Sequence, residues 1–247
     1  IGTKNSTFKI NSLIPQNKFQ QLSLKYNNKN YTIDVPLIGM FQIKNLLMSI
    51  LAAKLSGLNI KNIIKNIKNI KVVNGRLQLI RTLPNEAKIF IDYAHTPDAL
   101  ETCLKTLKEQ YGSKPDIVFG CGGERDKKKR SIMARVSEKH AENIYITDDN
   151  PRNESPKLIR QMIISGFENK KRVHNIPLRS KAIKTATINA KPKSILLVAG
   201  KGHETIQIYK NRVFNLSDKK IIKKISTNKL KYNKKNYNKI LNGKIIY

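Results

Sequence analysis

Lys88-Ile89-Phe90-Ile91-Asp92-Tyr93-Ala94-His95-Thr96-Pro97-Asp98 contains a complete strand-to-helix junction. Lys88–Asp92 is a short apolar run with a charge at each end, the pattern of a buried strand. Thr96-Pro97-Asp98 then starts a helix, with Thr as N-cap, Pro at the first helical position and Asp in the first turn, where the helix dipole favours negative charge. The same texture repeats outward from this junction. Further strands are predicted at Leu77–Thr82, Asp116–Gly120, Asn143–Thr147, Val173–Ile176 and Ser194–Ala199. Helices are predicted at Pro97–Gln110, Arg130–Ala141, Pro156–Phe167 and Lys181–Ala190. Strands alternating with helices of this length predict parallel βαβ units, hence an α/β fold with a doubly wound, mostly parallel sheet.

Upstream of Gly75 the texture differs. Gln21–Tyr26 and Tyr31–Val35 alternate about the turn-like Asn27–Asn30 and read as a hairpin. Asn45–Leu58 reads as a helix with Gly57 near its end, and a second, Asn- and Lys-rich helix is expected through residues 60–69. A closing hairpin is expected at Gln207–Tyr209 and Arg212–Asn215. From Lys219 onward lies a charge-biased segment that reads as one helix and a frayed end.

The 247 residues carry Lys+Arg 48 against Asp+Glu 17, a net charge of +31. Such a balance invites a nucleic-acid reading, with Tyr232 and Tyr237 of the lysine-rich tail available for base stacking. Ten of the positive charges are lysines after Asp218, where no acid occurs, and the rest are spread widely among abundant Asn and Ile. Lys, Asn and Ile are the residues that AT-rich codons supply, so most of the excess reads as compositional drift and nucleic acid is not the expected partner. Cys103 and Cys121 are too few for a disulfide scaffold and are not spaced as a metal-binding pair. No apolar run reaches the roughly 18 residues of a membrane span. Ile1 opens into polar sequence, which predicts no secretory signal; with no initiator Met, the chain reads as a fragment or a processed product.

Position is the informative property of the remaining polar residues. Strand 88–92 runs into Asp92-Tyr93-Ala94-His95, and strand 116–120 into Gly120-Cys121-Gly122-Gly123-Glu124-Arg125-Asp126. Strand 143–147 runs into Asp148-Asp149-Asn150-Pro151-Arg152, and strand 194–199 into Gly200-Lys201-Gly202-His203-Glu204. Ligands of open α/β sheets bind outside the carboxyl ends of the strands. Four such clusters on one edge therefore predict a binding site there. Helix punctuation accounts for Thr96-Pro97-Asp98 and Ser155-Pro156, but not for Asp92, Asp149, Asn150 or Arg152. His95 reads either as a structural strand-end histidine or as a site residue, and Lys127–Arg130 either as a solvated stretch or as part of the site.

Arg125 and Arg152 carry planar forks suited to a carboxylate. Asp149 and Glu204 are suited to an ammonium group. Together they predict a zwitterionic, amino-acid-like ligand. Arg76, after Gly75, could reach a phosphate or lie exposed on the surface. There is no GxxxxGK[ST] loop, no GxSxG elbow and no zinc-spaced Cys/His set.

These residues, in this order and spacing, resemble the Mur ligases: Gly75-Arg76, Asp92-Tyr93-Ala94-His95-Thr96-Pro97-Asp98, Val118-Phe119-Gly120-Cys121-Gly122-Gly123, Arg125-Asp126-Lys127, Thr147-Asp148-Asp149-Asn150-Pro151-Arg152 and Ala199-Gly200-Lys201-Gly202-His203-Glu204. The likeness runs from about Pro36 to Ser226. It implies residues 1–74 as the last part of a central ATP-binding α/β domain, 75–226 as a Rossmann-like C-terminal domain that brings the incoming amino acid, and 227–247 as a lysine-rich tail. It implies a cytoplasmic, ATP-dependent amide ligase of peptidoglycan synthesis, acting on a UDP-MurNAc dipeptide, with the Mg2+ ligands and phosphate loop supplied by a missing N-terminal half, fused or separate. Without that half the chain is expected not to use ATP.

Carried over residue by residue, the resemblance makes Asp149, Asn150, Pro151 and Arg152 a meso-diaminopimelate recognition motif, completed by Arg125, Gly200 and Glu204. It places Arg76, Asp92 and His95 toward the nucleotide and Asn45 at adenine. It assigns no residue here a covalent catalytic role. Gln42 departs from the family, which usually has Asn there, and Lys128 stands where Gly is common. The rival functions are a truncated, non-ligating diaminopimelate-binding or partner-docking module and, more remotely, a basic nucleic-acid-binding protein.

Overall fold

The computed structural model describes residues 8–16 and 19–226. The lysine-rich tail from residue 227, with Tyr232 and Tyr237, lies outside the described residues. The first unit is an antiparallel sheet of β1 (Phe8–Pro15), β2 (Gln20–Tyr26) and β3 (Lys29–Val35), in that spatial order. Its inner face packs on α1 (Met40–Leu55), α2 (Ile60–Asn66) and a following 3-10 turn at Ile67–Asn69, burying Leu22, Leu24, Val35, Ile43 and Leu47. The predicted hairpin is present, while β1 carried too irregular a pattern to be singled out; its register shifts between Ile10 and Ser12.

α1 starts five residues before the predicted Asn45. Its start carries no side-chain cap, so no cap residue marks it in the sequence. The carbonyl of Gly39 accepts from Gln42 N at 3.1 Å and Ile43 N at 3.2 Å, while Gly39 N donates to the Gln20 side chain at 2.8 Å. Tertiary contact with β2 fixes this helix start. α2 does begin on a side-chain cap, Asn59 accepting from Lys61 N at 2.9 Å.

The second unit is a six-stranded sheet made of β4 (Gln78–Thr82), β5 (Lys88–Asp92), β6 (Asp116–Phe119), β7 (Ile144–Ile146), β8 (Val173–Asn175) and β9 (Ile195–Ala199). The spatial order is β4-β5-β9-β6-β7-β8; only β4 runs antiparallel, to β5. Between the strands run α3 (Pro97–Tyr111), α4 (Lys129–His140), α5 (Pro156–Ile164) and α6 (Arg179–Ile188). The described residues end with the hairpin β10 (Ile206–Tyr209) and β11 (Arg212–Asn215), then α7 (Asp218–Lys224). α3, α4 and α5 cover one face of the sheet; α6 and α7 cover the other. All five residues of β9 are buried, as a strand sandwiched between two helical layers requires, which is why it lacks polar alternation.

The predicted doubly wound sheet is therefore present, with ends that shift by a few residues. β4 begins at Gln78 and not at Leu77, because Leu77 has φ +43° and its N–H turns to the Asp92 carboxylate at 2.6 Å. α3 begins as predicted, Thr96 Oγ1 accepting from Ala99 N at 3.4 Å, and buries the stripe Leu100, Cys103, Leu104 and Leu107.

β9 enters the sheet last, between β5 and β6. The chain crosses from β5 to β6 over the place that β9 later fills, so the carboxyl ends of β5, β9 and β6 converge at a switch point, where a crevice forms. At its edge Gly75 lies hard against the backbone of Gly202 and His203 with φ +69°, leaving no room for a Cβ. Gly75→Ala should lower stability by about 2–4 kcal/mol, a left-handed backbone cost added to overpacking. Urea denaturation measures it; an unchanged midpoint would show that the turn yields freely.

Candidate functional site

The crevice holds a cavity of about 340 Å³ lined by Arg125, Asp149, Asn150, Arg152, Gly200 and Glu204, with Tyr93, His95 and Lys129 on the β5 side. Six of the seven residues expected in the amino-acid pocket thus meet in one place. Pro151 is buried without lining the cavity; its carbonyl accepts from Glu154 N at 3.1 Å and so shapes the turn.

Each strand-end loop is tied to the next. Asn150, after β7, donates to Glu204 Oε2 at 3.1 Å and accepts on Oδ1 from Ile208 N at 3.0 Å and Lys201 Nζ at 3.1 Å. Lys201 Nζ also donates to Glu204 Oε2 at 2.9 Å, and the lysine is wholly buried. Burial pushes the Glu204 carboxyl up, but the Lys201 ammonium and the Asn150 amide outweigh it and hold it below its ordinary value. Asp149 Oδ1 accepts from Asn150 N at 2.7 Å. A Cβ on Gly200, whose φ is +108°, would sit 2.8 Å from Asp149 Oδ2, so only glycine leaves that carboxylate its place.

The two forks remain available for a ligand. Among the described residues Arg125 Nη1 donates only to the neighbouring Glu124 carbonyl, at 2.9 Å, and Arg152 Nη1 to the carbonyls of Gly123 at 2.9 Å and Asn150 at 3.4 Å. No carboxylate pairs with either among the described residues. Arg152 stands at φ +52° because its backbone is clamped to β10: its N–H donates to Ile208 O at 3.1 Å and its carbonyl accepts from Lys210 N at 2.7 Å. Cys121 also lines the cavity, but burial pushes its thiol up to about 12, leaving it without thiolate character.

Of the residues expected near a nucleotide, His95 lines this cavity while Arg76, Asp92 and Asn45 do not. His95 Nδ1 donates to Tyr93 O at 2.8 Å, and the ring packs edge-on to Tyr93 at 4.7 Å. The Arg76 guanidinium lies 4.7 Å over the Tyr93 ring. Asp92 is buried and fully engaged, accepting from Leu77 N and Ala94 N, each at 2.6 Å. Burial raises its carboxyl, against those two N–H bonds. It anchors the turn that carries Arg76 and does not line the cavity. Asn45 lies on α1 and does not line it either. Among the described residues no group of His, Cys, Asp and Glu could hold a metal ion, and no described helix is long and apolar enough to cross a membrane.

Sequence reasoning placed Lys201 within a strand-end cluster and read Lys127–Arg130 as solvated or as part of the site, but it gave neither Lys201 nor Arg130 a buried partner, since lysines and arginines are ordinarily exposed. Arg130, wholly buried on α4, forks onto Glu154 at 2.9 and 3.0 Å and reaches Gly122 O at 3.3 Å. Glu154 in turn accepts from Glu124 N at 2.6 Å, locking the Arg125 loop to the Arg152 loop. The Arg130 guanidinium draws the Glu154 carboxyl down to about 2 from 4.5. A depressed native value stabilises the fold above the unfolded pKa, and that stability is lost as pH falls toward the native one. Urea midpoints should therefore decline between about pH 4.5 and pH 2, with a shallower decline in Glu154→Gln; identical profiles would show that the clamp contributes nothing.

Three comparisons with known proteins bear on the family. Residues 75–202 match the model of the Mur ligase family's glutamate ligase domain. The chain is 46% identical over 209 residues to UDP-N-acetylmuramoyl-L-alanyl-D-glutamate–2,6-diaminopimelate ligase of Rickettsia montanensis, covering 84% of this chain and 43% of that protein. A solved structure of an enzyme with that same name superposes with a TM-score of 0.66 at 32% identity, over 89% of this chain and 45% of the other. A Mycobacterium tuberculosis folylpolyglutamate synthase complexed with ADP and AMPPCP shares the fold at a TM-score of 0.64 and 20% identity, over 79% and 46% of the two chains. The chain thus spans less than half the length of these relatives. On the family model, and with the strand-end loops meeting at one cavity, this chain belongs to the Mur ligases.

Proposed function

We propose that this chain is the C-terminal, amino-acid-presenting portion of an ATP-dependent ligase that adds meso-diaminopimelate to UDP-MurNAc-L-Ala-D-Glu in peptidoglycan synthesis. The observation that carries the proposal is the convergence of Arg125, Arg152, Asp149 and Glu204 on one cavity of about 340 Å³. The names of the relatives support the choice of substrate. A diaminopimelate held by one amino-acid end gives its carboxylate to the two guanidinium forks and its ammonium to Asp149 and Glu204. Its other amine is left to react. Lysine reacting through its own α-amine has no carboxylate at the held end and would leave both Arg125 and Arg152 without a partner.

In the reaction so assigned, ATP phosphorylates the D-glutamate carboxylate, the amine attacks the acyl phosphate, and the tetrahedral intermediate expels phosphate with loss of a proton from nitrogen. The residues of this chain supply orientation, which can contribute up to about 7–11 kcal/mol to a bimolecular step in ideal cases. Arg76 would offset charge on the transferring phosphoryl group, and Asp92 would hold the Arg76 turn in place. His95 and Asn45 would face the nucleotide when an N-terminal half, fused or separate, closes over this one. The residues described here do not form a magnesium site, so Mg2+ ligands would come from that half. The compartment of such a reaction is the cytoplasm.

In the complete ligase, Arg152→Ala should raise the KM for meso-diaminopimelate by about 10- to 100-fold, the worth of one charged hydrogen-bonding contact. The KM for ATP should change by less than about 2-fold, since no nucleotide group is assigned to Arg152. Steady-state kinetics with each substrate varied tests this, and equal effects on both constants would refute the pocket assignment.

A further inference from the structure

Beneath the cavity floor lies a charged group that the pocket description leaves unused. Arg179, at the start of α6, is completely buried. Its Nε and Nη2 donate to the two oxygens of Asp218 at 2.9 and 2.7 Å, and Nη2 also donates to Ala199 O at 2.9 Å. Asp218 is itself wholly buried at the start of α7. The remaining nitrogen, Nη1, has no hydrogen-bond partner among the described residues. It stands 3.9 Å from Asp149 Oδ2, the oxygen that Gly200 leaves room for.

A buried guanidinium with one donor unmatched is costly, and such a donor calls for a partner. Asp149 Oδ1 already accepts from Asn150 N, so Oδ2 is the oxygen with capacity to spare. Asp149 lines the cavity, whereas Arg179 is wholly buried and does not, so Nη1 approaches Oδ2 from within the protein. We infer that Arg179 is a positioning residue for the amino-acid pocket, acting through Asp149: Nη1 steers Oδ2 to accept from the ligand's ammonium. Asp218 fixes the guanidinium from the far side. The C-terminal helix α7 thereby belongs to the amino-acid site, although none of its residues lines the cavity. This rests on the assignment of the cavity to diaminopimelate.

The test is calorimetric titration of meso-diaminopimelate into the full chain and its variants. Binding to the parent chain tests the pocket itself; if the parent does not bind, the pocket assignment and this inference fall together. If it binds, Arg179→Lys, which keeps the charge but loses the fork, should weaken affinity by about tenfold. In an Asp149→Asn background the same substitution should cost less than about 2-fold, because the two residues act as one unit. Additive losses would assign Arg179 a merely structural role and overturn the inference while leaving the pocket standing. A measurement on the unsubstituted chain covers variants that fail to fold: the side-chain NMR resonances of Arg179 should shift on saturation with meso-diaminopimelate, whereas those of Arg172, bonded to the carbonyls of Glu138, Ala141 and Glu142, should not. A motionless Arg179 signal at saturation would also overturn it.

Discussion

The pairing of β9 between β5 and β6 is the constraint on which the rest depends. It joins residues more than 70 positions apart in the chain, matching Phe90 with Leu197 and Val118 with Val198. Until that pairing forms, the Gly200–Glu204 loop has no fixed relation to Asp149 or Asn150, and the crevice does not exist. The entirely apolar face-to-face burial of β9 supplies the driving force, at roughly 1.5–3 kcal/mol for each large aliphatic side chain removed from water. The long sequence separation adds a loop-closure entropy cost that this burial must offset.

Burying three cations around one cavity is the second property of this arrangement. Arg130, Arg179 and Lys201 are each wholly buried, and each is matched by a carboxylate: Glu154, Asp218 and Glu204. Such pairs contribute little net stability, because desolvation offsets their attraction, but removing one partner is expensive. Their effect is therefore geometric. They hold loops that have no hydrophobic core of their own, and they leave Arg125 and Arg152 as guanidinium forks at the cavity with no carboxylate partner among the described residues.

Much of this was legible in the sequence. Apolar runs without alternation marked the parallel strands, and the residues following them marked the site, because helix punctuation could not explain Asp149, Asn150 or Arg152. Local patterns said less where tertiary contact decides. α1 starts on a backbone carbonyl beside β2 with no capping side chain, so its first turn carries no signal. Leu77 leaves the strand because Asp92, fifteen residues on, takes its N–H. Arg179 looked like an ordinary surface cation in a chain rich in them, and Lys201 sat in a strand-end cluster with no visible partner; Asp218 and Glu204 pair with them only once the helices and loops are in place.

Gly200 shows how the unusual composition of this chain is bounded. A chain as rich as this one in lysine, asparagine and isoleucine can accept those residues wherever a side chain meets solvent or a yielding core. At Gly200 the space that a Cβ would need belongs to Asp149 Oδ2, and the backbone stands where side chains rarely go. The missing atoms at that position are thus a fixed dimension of the site. Substitution can recolour the surface around it, but any change at that position must first leave the hole intact.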